Sequence, residues 1–110
     1  RNYELGIENE SRQKGFSSIL THMTDKISEH RKNIDELDTK ILELIQERVD
    51  EAISIRYLKT QQGIPLFTPE REKSLISQLI KKSDGRLPPE VIKDIWKTII
   101  GGGKRTGDSQ

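Results

Sequence analysis

The stretch "TDKISEHRKNIDELDTKILELIQERVDEAISIRYLKTQ", residues 24–61, decides the fold. It contains neither glycine nor proline, and its apolar residues recur close to helical spacing. They are Ile27, Ile34, Leu37, Ile41, Leu44, Ile45, Ala52, Ile55 and Leu58. We therefore predict one long helix that begins at Thr24 and ends before Gly63 and Pro65.

The length of this helix predicts a partner. At 1.5 Å per residue it spans about 55 Å, roughly twice the diameter of a compact domain of this size. The residues that follow it are too few to cover its apolar side. A second copy of the chain, paired antiparallel about a two-fold axis, is the simplest cover. We therefore expect an all-α homodimer in which the long helices pair.

Two shorter helices are predicted after the long one. Thr68 is the expected N-cap of the first, with Pro69 at the first helical position, and this helix should end near "SDG", residues 83–85. The second opens at "LPPE", residues 87–90, and its end is predicted at the three glycines 101–103. The layout is thus an extension or linker (1–23), a helical domain (24–100) and a flexible glycine-rich tail (101–110).

Composition narrows the class of function. A net charge of +1 gives no global field for nucleic acid or an anionic membrane. The absence of cysteine excludes disulfides, thiolate catalysis and cysteine metal sites, and two histidines are too few for a histidine metal cage. We find no apolar run long enough for a membrane span and no signal peptide, so a cytoplasmic protein is expected.

Several charged residues fall on apolar helix faces. Arg48 and Lys59 project into the apolar stripe of the long helix, and Arg31 lies nearer its edge. On the second helix Glu72 lies within the stripe, with Arg71 toward its border. Such charges need partners, because an unpaired buried charge is costly. Pairing within the chain and an anion site between helices both satisfy this requirement, and helix geometry alone does not choose between them.

Four segments together resemble one family. These are "RKNIDELDTKILELIQER", a lysine eleven residues after its last arginine, "GIPLFTPEREKSLISQLI" and "LPPEVIKDIWKTII". In order and spacing they are similar to the all-helical chorismate mutases over about residues 24–100. The resemblance implies an intertwined homodimer that converts chorismate to prephenate in phenylalanine and tyrosine biosynthesis, without metal or cofactor.

The resemblance also implies the site. Arg48, Lys59, Arg71 and Glu72 would line it in one subunit, and Arg31 would reach it from the partner subunit. The two arginines Arg31 and Arg48 would hold the substrate carboxylates, and Lys59 a carboxylate and the ether oxygen. Arg71 and Glu72 would act around the ring hydroxyl. Thr68 replaces a frequent aspartate and still offers a hydroxyl to the helix or the substrate.

The C-terminal part departs from the family. A serine and, four residues later, a glutamine or glutamate usually face the pocket, but the matching positions here are Gly103 and Gly107. In the family the glutamine or glutamate helps to hold the ether oxygen of the substrate. We therefore expect an enzyme that is weak or that relies on another group at the ether oxygen. A non-catalytic regulatory dimer and an isochorismate pyruvate-lyase stay open as alternatives. So does fusion to, or association with, another shikimate-pathway enzyme.

Overall fold

Three helices make up the part of the chain that the computed structural model describes, residues 10–108, with side chains described for residues 17–105. They are α1 (Glu10–Gln62), α2 (Pro69–Lys82) and α3 (Pro89–Asp108). No strand occurs within residues 10–108. The prediction of an all-α fold with one long and two short helices is confirmed.

The chain divides into two compact units within α1. The first unit ends at Leu42, and the second begins at Glu43 and contains the rest of α1 together with α2 and α3. In the first unit the apolar side chains of α1 are about half exposed, as at Ile34 (54%) and Leu37 (55%). In the second unit, where α2 contacts α3, Ile76 and Ile92 are buried.

The end of α1 is determined by a glycine. Gly63 has a φ of 71°, in the left-handed region that favours glycine. Its N–H donates to the Thr60 carbonyl at 3.4 Å, and the Ile64 N–H donates to the Lys59 carbonyl at 2.9 Å. This pair of bonds is the Schellman pattern, which satisfies the last carbonyls of a helix. The predicted stop at Gly63 is confirmed.

The ends of α2 also agree with the sequence. Thr68 is the N-cap in an extended conformation and Pro69 begins the helix, although the Thr68 side chain makes no capping hydrogen bond. The Thr68 carbonyl accepts instead from the Arg71 N–H at 3.0 Å. After Lys82, the Ser83 N–H donates to the carbonyls of Leu79 and Ile80, which ends the helix at the predicted place.

The predicted start of α1 at Thr24 is wrong, because the helix already runs from Glu10. Residues 10–23 contain one glycine and no proline. A single glycine costs a helix only about 1 kcal/mol relative to alanine, so it does not break one. Ile19, Met23 and Ile27 also continue the four-residue spacing of the apolar side. Residues 1–9 of the expected extension lie outside the described residues.

The predicted end of α3 at Gly101–Gly103 is also wrong, since the helix continues to Asp108. Tertiary contacts hold this segment where propensity disfavours it. An Arg56 guanidinium N–H donates to the Gly103 carbonyl at 3.4 Å, and the Lys104 ammonium binds the Glu72 carboxylate. The flexible tail expected from residue 101 is therefore helical as far as residue 108, and residues 109–110 are outside the described part.

Candidate active site

A cleft of about 170 Å³ lies in the second unit, among α1, the segment that leads into α2, α2 itself and the C-terminal part of α3. Its charged lining is strongly unbalanced. Among the described residues, one carboxylate, Glu72, faces a set of cations: Arg48, Arg56, Lys59, Arg71 and Lys104. Apolar side chains such as Ile55, Leu75 and Ile100 form the rest of the wall.

The structure brings together the site residues that were predicted within one subunit. Arg48 and Lys59, three helical turns apart on α1, both line the cleft and are half-buried. Thr68, Arg71 and Glu72 line it from the start of α2. Glu72 is half-buried, whereas Thr68 and Arg71 are exposed. Charged residues on or near the apolar faces of two helices therefore line the same cleft.

Arg31 is in a different position. It belongs to the first unit, and its side chain is exposed there. The resemblance assigned it to the site of a partner subunit, so its contribution stays a prediction that concerns a dimer.

Glu72 is already paired across the cleft. Lys104 Nζ donates to Glu72 Oε2 at 2.6 Å, and the same ammonium lies 3.7 Å from the centre of the Phe67 ring. The lysine thus contacts a carboxylate on α2 and an aromatic face just before α2. Both contacts are favourable for a partly desolvated cation. They join the C-terminal turns of α3 to the start of α2.

Sequence reasoning missed two cations of the cleft, Arg56 and Lys104. The sequence pattern could have identified Arg56. On a helical wheel of α1 it projects about 40° from Ile34, inside an apolar stripe that spans about −80° to +100°. Lys104 follows Ile100 by one helical turn, but the expected end of α3 at the glycines removed it from consideration. Its place in the cleft depends on helix continuing past Gly103.

The cleft suits a small polycarboxylate. Five positive groups against one carboxylate, itself bound by Lys104, leave an excess of donors with fixed positive charge. Guanidinium and ammonium groups bind carboxylates through charge-assisted hydrogen bonds. No group of three or more histidine, cysteine or acidic residues that would hold a metal ion is present among the described residues. Nor does any helix in residues 10–108 have the length and apolar character to cross a membrane.

Comparison with known proteins agrees with this geometry. Residues 30–106 match the family model of chorismate mutase type II. A chorismate mutase of Methanocaldococcus jannaschii is 48% identical over 59 residues, which cover 54% of this chain and 60% of the relative. A bifunctional chorismate mutase/prephenate dehydratase of Aquifex aeolicus is 31% identical over 80 residues, 69% of this chain and 22% of that protein.

Solved structures show the same fold. A chorismate mutase structure (form II) from Thermus thermophilus superposes with a TM-score of 0.74 and 29% identity, covering 77% of this chain and 97% of the other. The form I structure gives 0.69 and 31%, with 71% and 98% coverage. The chain spans 60% of the Methanocaldococcus relative and about a fifth of the bifunctional one. With the family model matched over most of its helical part, the chain belongs to the chorismate mutase type II family.

Proposed function

We propose that this chain catalyses the rearrangement of chorismate to prephenate. The observation that carries the proposal is the convergence of Arg48, Lys59, Arg71 and Glu72 on one cleft of the second unit. The resemblance of the sequence to the all-helical chorismate mutases predicts these four residues as one site. Relatives named chorismate mutase and the match to the family model support the same reaction.

The chemistry fits the side chains of the cleft. The rearrangement occurs within one molecule: a C–O bond breaks while a C–C bond forms, and no nucleophile or external proton is consumed. The protein must hold the dianion in its reactive conformer, which is a positioning effect. It must also stabilise the negative charge that develops on the ether oxygen. Arg48 and Lys59 are half-buried cations on a rigid helix, so they supply both.

Glu72 and Arg71 would meet the polar ring substituents. Glu72 lines the cleft from the start of α2, and its carboxylate accepts from Lys104. One carboxylate oxygen is engaged at 2.6 Å, and a carboxylate accepts several hydrogen bonds. It is therefore able to accept from the substrate hydroxyl while it stays paired. Thr68 offers a hydroxyl nearby that no capping bond occupies.

The proposal includes a homodimer in which Arg31 completes the site of the partner subunit. The half-exposed apolar side chains of the first unit support it, because a helix side with Ile27, Ile34, Leu37 and Ile41 at 50–55% exposure is expected to be covered. They recur at spacings of seven, three and four residues, as at an interface between paired helices.

The rate is part of the proposal. Gly103 lines the cleft without a side chain, and Gly107 has none to offer. Losing one donor to a developing oxyanion costs about 100- to 1000-fold in rate. Turnover should therefore be low unless another donor of this chain takes that place.

The test is a turnover assay on the full chain. Loss of chorismate is followed by ultraviolet absorbance against the uncatalysed background, and products are identified by chromatography. Prephenate as the product supports the proposal. No rate above background contradicts it and favours a non-catalytic binding module, and pyruvate formed from isochorismate would assign the lyase reaction instead.

A further inference from the structure

Arg56 is a cation of the cleft for which the predicted site had no role. It lies on α1, half-buried, eight residues after Arg48 and three before Lys59. One terminal nitrogen, Nη2, donates to the Gly103 carbonyl at 3.4 Å. The other, Nη1, is buried and has no hydrogen-bond partner among the described residues. Half of the guanidinium fork is therefore unused.

A buried donor without an acceptor is costly, and more so when it carries charge. Native proteins seldom leave such a group unsatisfied, and the exceptions call for an explanation. The charged neighbours that share the cleft offer little, because they are cations apart from Glu72. Glu72 is bound by Lys104 at 2.6 Å. An acceptor that arrives with a ligand would satisfy Nη1.

Open space in the cleft lies at Gly103, to whose carbonyl Arg56 donates. Gly103, whose carbonyl receives Nη2, is buried and lines the cleft. A Cβ added at Gly103 would meet nothing within 4 Å. The glycine therefore leaves open volume in the wall of the cleft, at a position where α3 offers no side chain. A long arginine from α1 supplies donors there.

We infer that Arg56 is a further substrate-binding residue, which donates Nη1–H to an oxygen of the bound dianion on the side of the cleft that Gly103 lines. The inference rests on the proposed function. A fixed guanidinium binds an oxygen more strongly as its negative charge grows, so the contact strengthens toward the transition state. Arg56 is the group that compensates for the missing side chain at Gly103.

The test compares Arg56→Met, Arg56→Lys and a matched control, Arg86→Met. Methionine keeps an unbranched apolar side chain but has no donors, and lysine keeps the charge without the planar fork. Arg86 is an exposed arginine that pairs with Asp84 in the loop before α3, and it does not line the cleft. Turnover of chorismate, its affinity by calorimetry and the melting temperature are measured on the full chain.

We expect Arg56→Met to lower kcat/KM by about 100-fold, Arg56→Lys to lose less, and Arg86→Met to stay at wild-type values. Values within threefold of wild type for Arg56→Met overturn the inference, whatever the wild-type rate. If Arg56→Met does not fold, wild-type kcat/KM in Arg56→Lys overturns it, because lysine lacks the fork. A purely structural role would lower the melting temperature and leave chorismate affinity unchanged.

The two proposals fail separately. A wild-type chain that turns over chorismate while Arg56→Met does so equally well refutes only the role of Arg56. A wild-type chain that binds chorismate without converting it refutes the proposed function, and a loss of that affinity of at least tenfold in Arg56→Met still supports the contact.

Discussion

Lys104 Nζ lies 2.6 Å from Glu72 Oε2, so a cation on α3 is bound to the one carboxylate among the described residues of the cleft. The side chains are 41% and 27% exposed, which makes this a partly desolvated pair. The Phe67 ring lies beneath the same ammonium at 3.7 Å. The pairing cancels the charge that would repel an anionic substrate and leaves the α1 cations available.

Replacing Lys104 tests what the pair contributes to stability and to substrate binding. In Lys104→Met we expect the free energy of unfolding to fall by about 1 kcal/mol, a typical value for a partly exposed ion pair with an added cation–π contact. The Glu72 charge would then be uncompensated, so KM should rise about fivefold for a cost of about 1 kcal/mol. Denaturant unfolding at a fixed protein concentration and steady-state kinetics measure the two effects.

Lys97→Met is the control, because Lys97 is an exposed lysine of α3 that does not line the cleft. It should change neither quantity by more than the error. An unchanged KM in Lys104→Met would show that the pair does not tune the charge of the cleft.

Alanine at two glycines should have opposite effects. In Gly101→Ala the new Cβ meets only the Arg105 guanidinium at 3.7 Å, an ordinary contact, within a helix. Stability should rise by about 0.5–1 kcal/mol, because glycine is the poorer helix former. In Gly85→Ala, the alanine would have to keep a φ of 91°, which is strained for a residue with a Cβ. The free energy of unfolding should therefore fall by about 1–2 kcal/mol. Thermal unfolding of both variants gives the signs. A loss of stability in Gly101→Ala would contradict the helical course through Gly101, and a gain in Gly85→Ala would contradict the left-handed backbone at Gly85.

The exposed apolar side of the first unit predicts self-association. Leu37→Glu places a charge on that side and should shift the chain from dimer to monomer, as measured by sedimentation velocity. Thr39→Glu is the matched control: it makes the same change in charge two residues away, at an exposed position outside the apolar stripe. Equal sedimentation coefficients for the two variants would contradict an interface on this side of α1.

Mixing two inactive variants tests whether Arg31 acts in the partner subunit. Arg31→Ala and Lys59→Ala should each be nearly inactive. In a mixed dimer, one of the two sites would combine an intact Arg31 with an intact Lys59 from the other chain. Random mixing makes half of the dimers hybrids, so about a quarter of wild-type activity should return. No recovery after subunit exchange would place Arg31 outside the partner's site.

The elements that the sequence predicted well were those with strong local signals. Gly63, in the left-handed region, ends α1, and the Thr68–Pro69 pair begins α2. Both boundaries were predictable because they depend on backbone conformation within one helical turn. The facing positions of Arg48 and Lys59 follow from helical geometry alone. The prediction that they share a site with Arg71 and Glu72 came from the family resemblance.

The errors arose where tertiary contacts outweigh local preference. Three glycines predict a helix end, yet Arg56 and Lys104 hold α3 in place through the Gly103 carbonyl and the Glu72 carboxylate. Neither contact is visible along the chain, since 47 and 32 residues separate the partners. Lys104 was missed as a site residue because the predicted end of α3 at the glycines placed it outside the helix.

The central claim is that the cleft of the second unit is where chorismate rearranges, and Lys59→Ala tests it most directly. Lys59 is half-buried in the cleft, whereas Lys73 on α2 is exposed and outside the lining, so Lys73→Ala is the matched control. We predict that Lys59→Ala lowers kcat/KM for chorismate by about 100- to 1000-fold with an unchanged melting temperature, while Lys73→Ala stays at wild-type values. Wild-type kcat/KM in Lys59→Ala would contradict the claim.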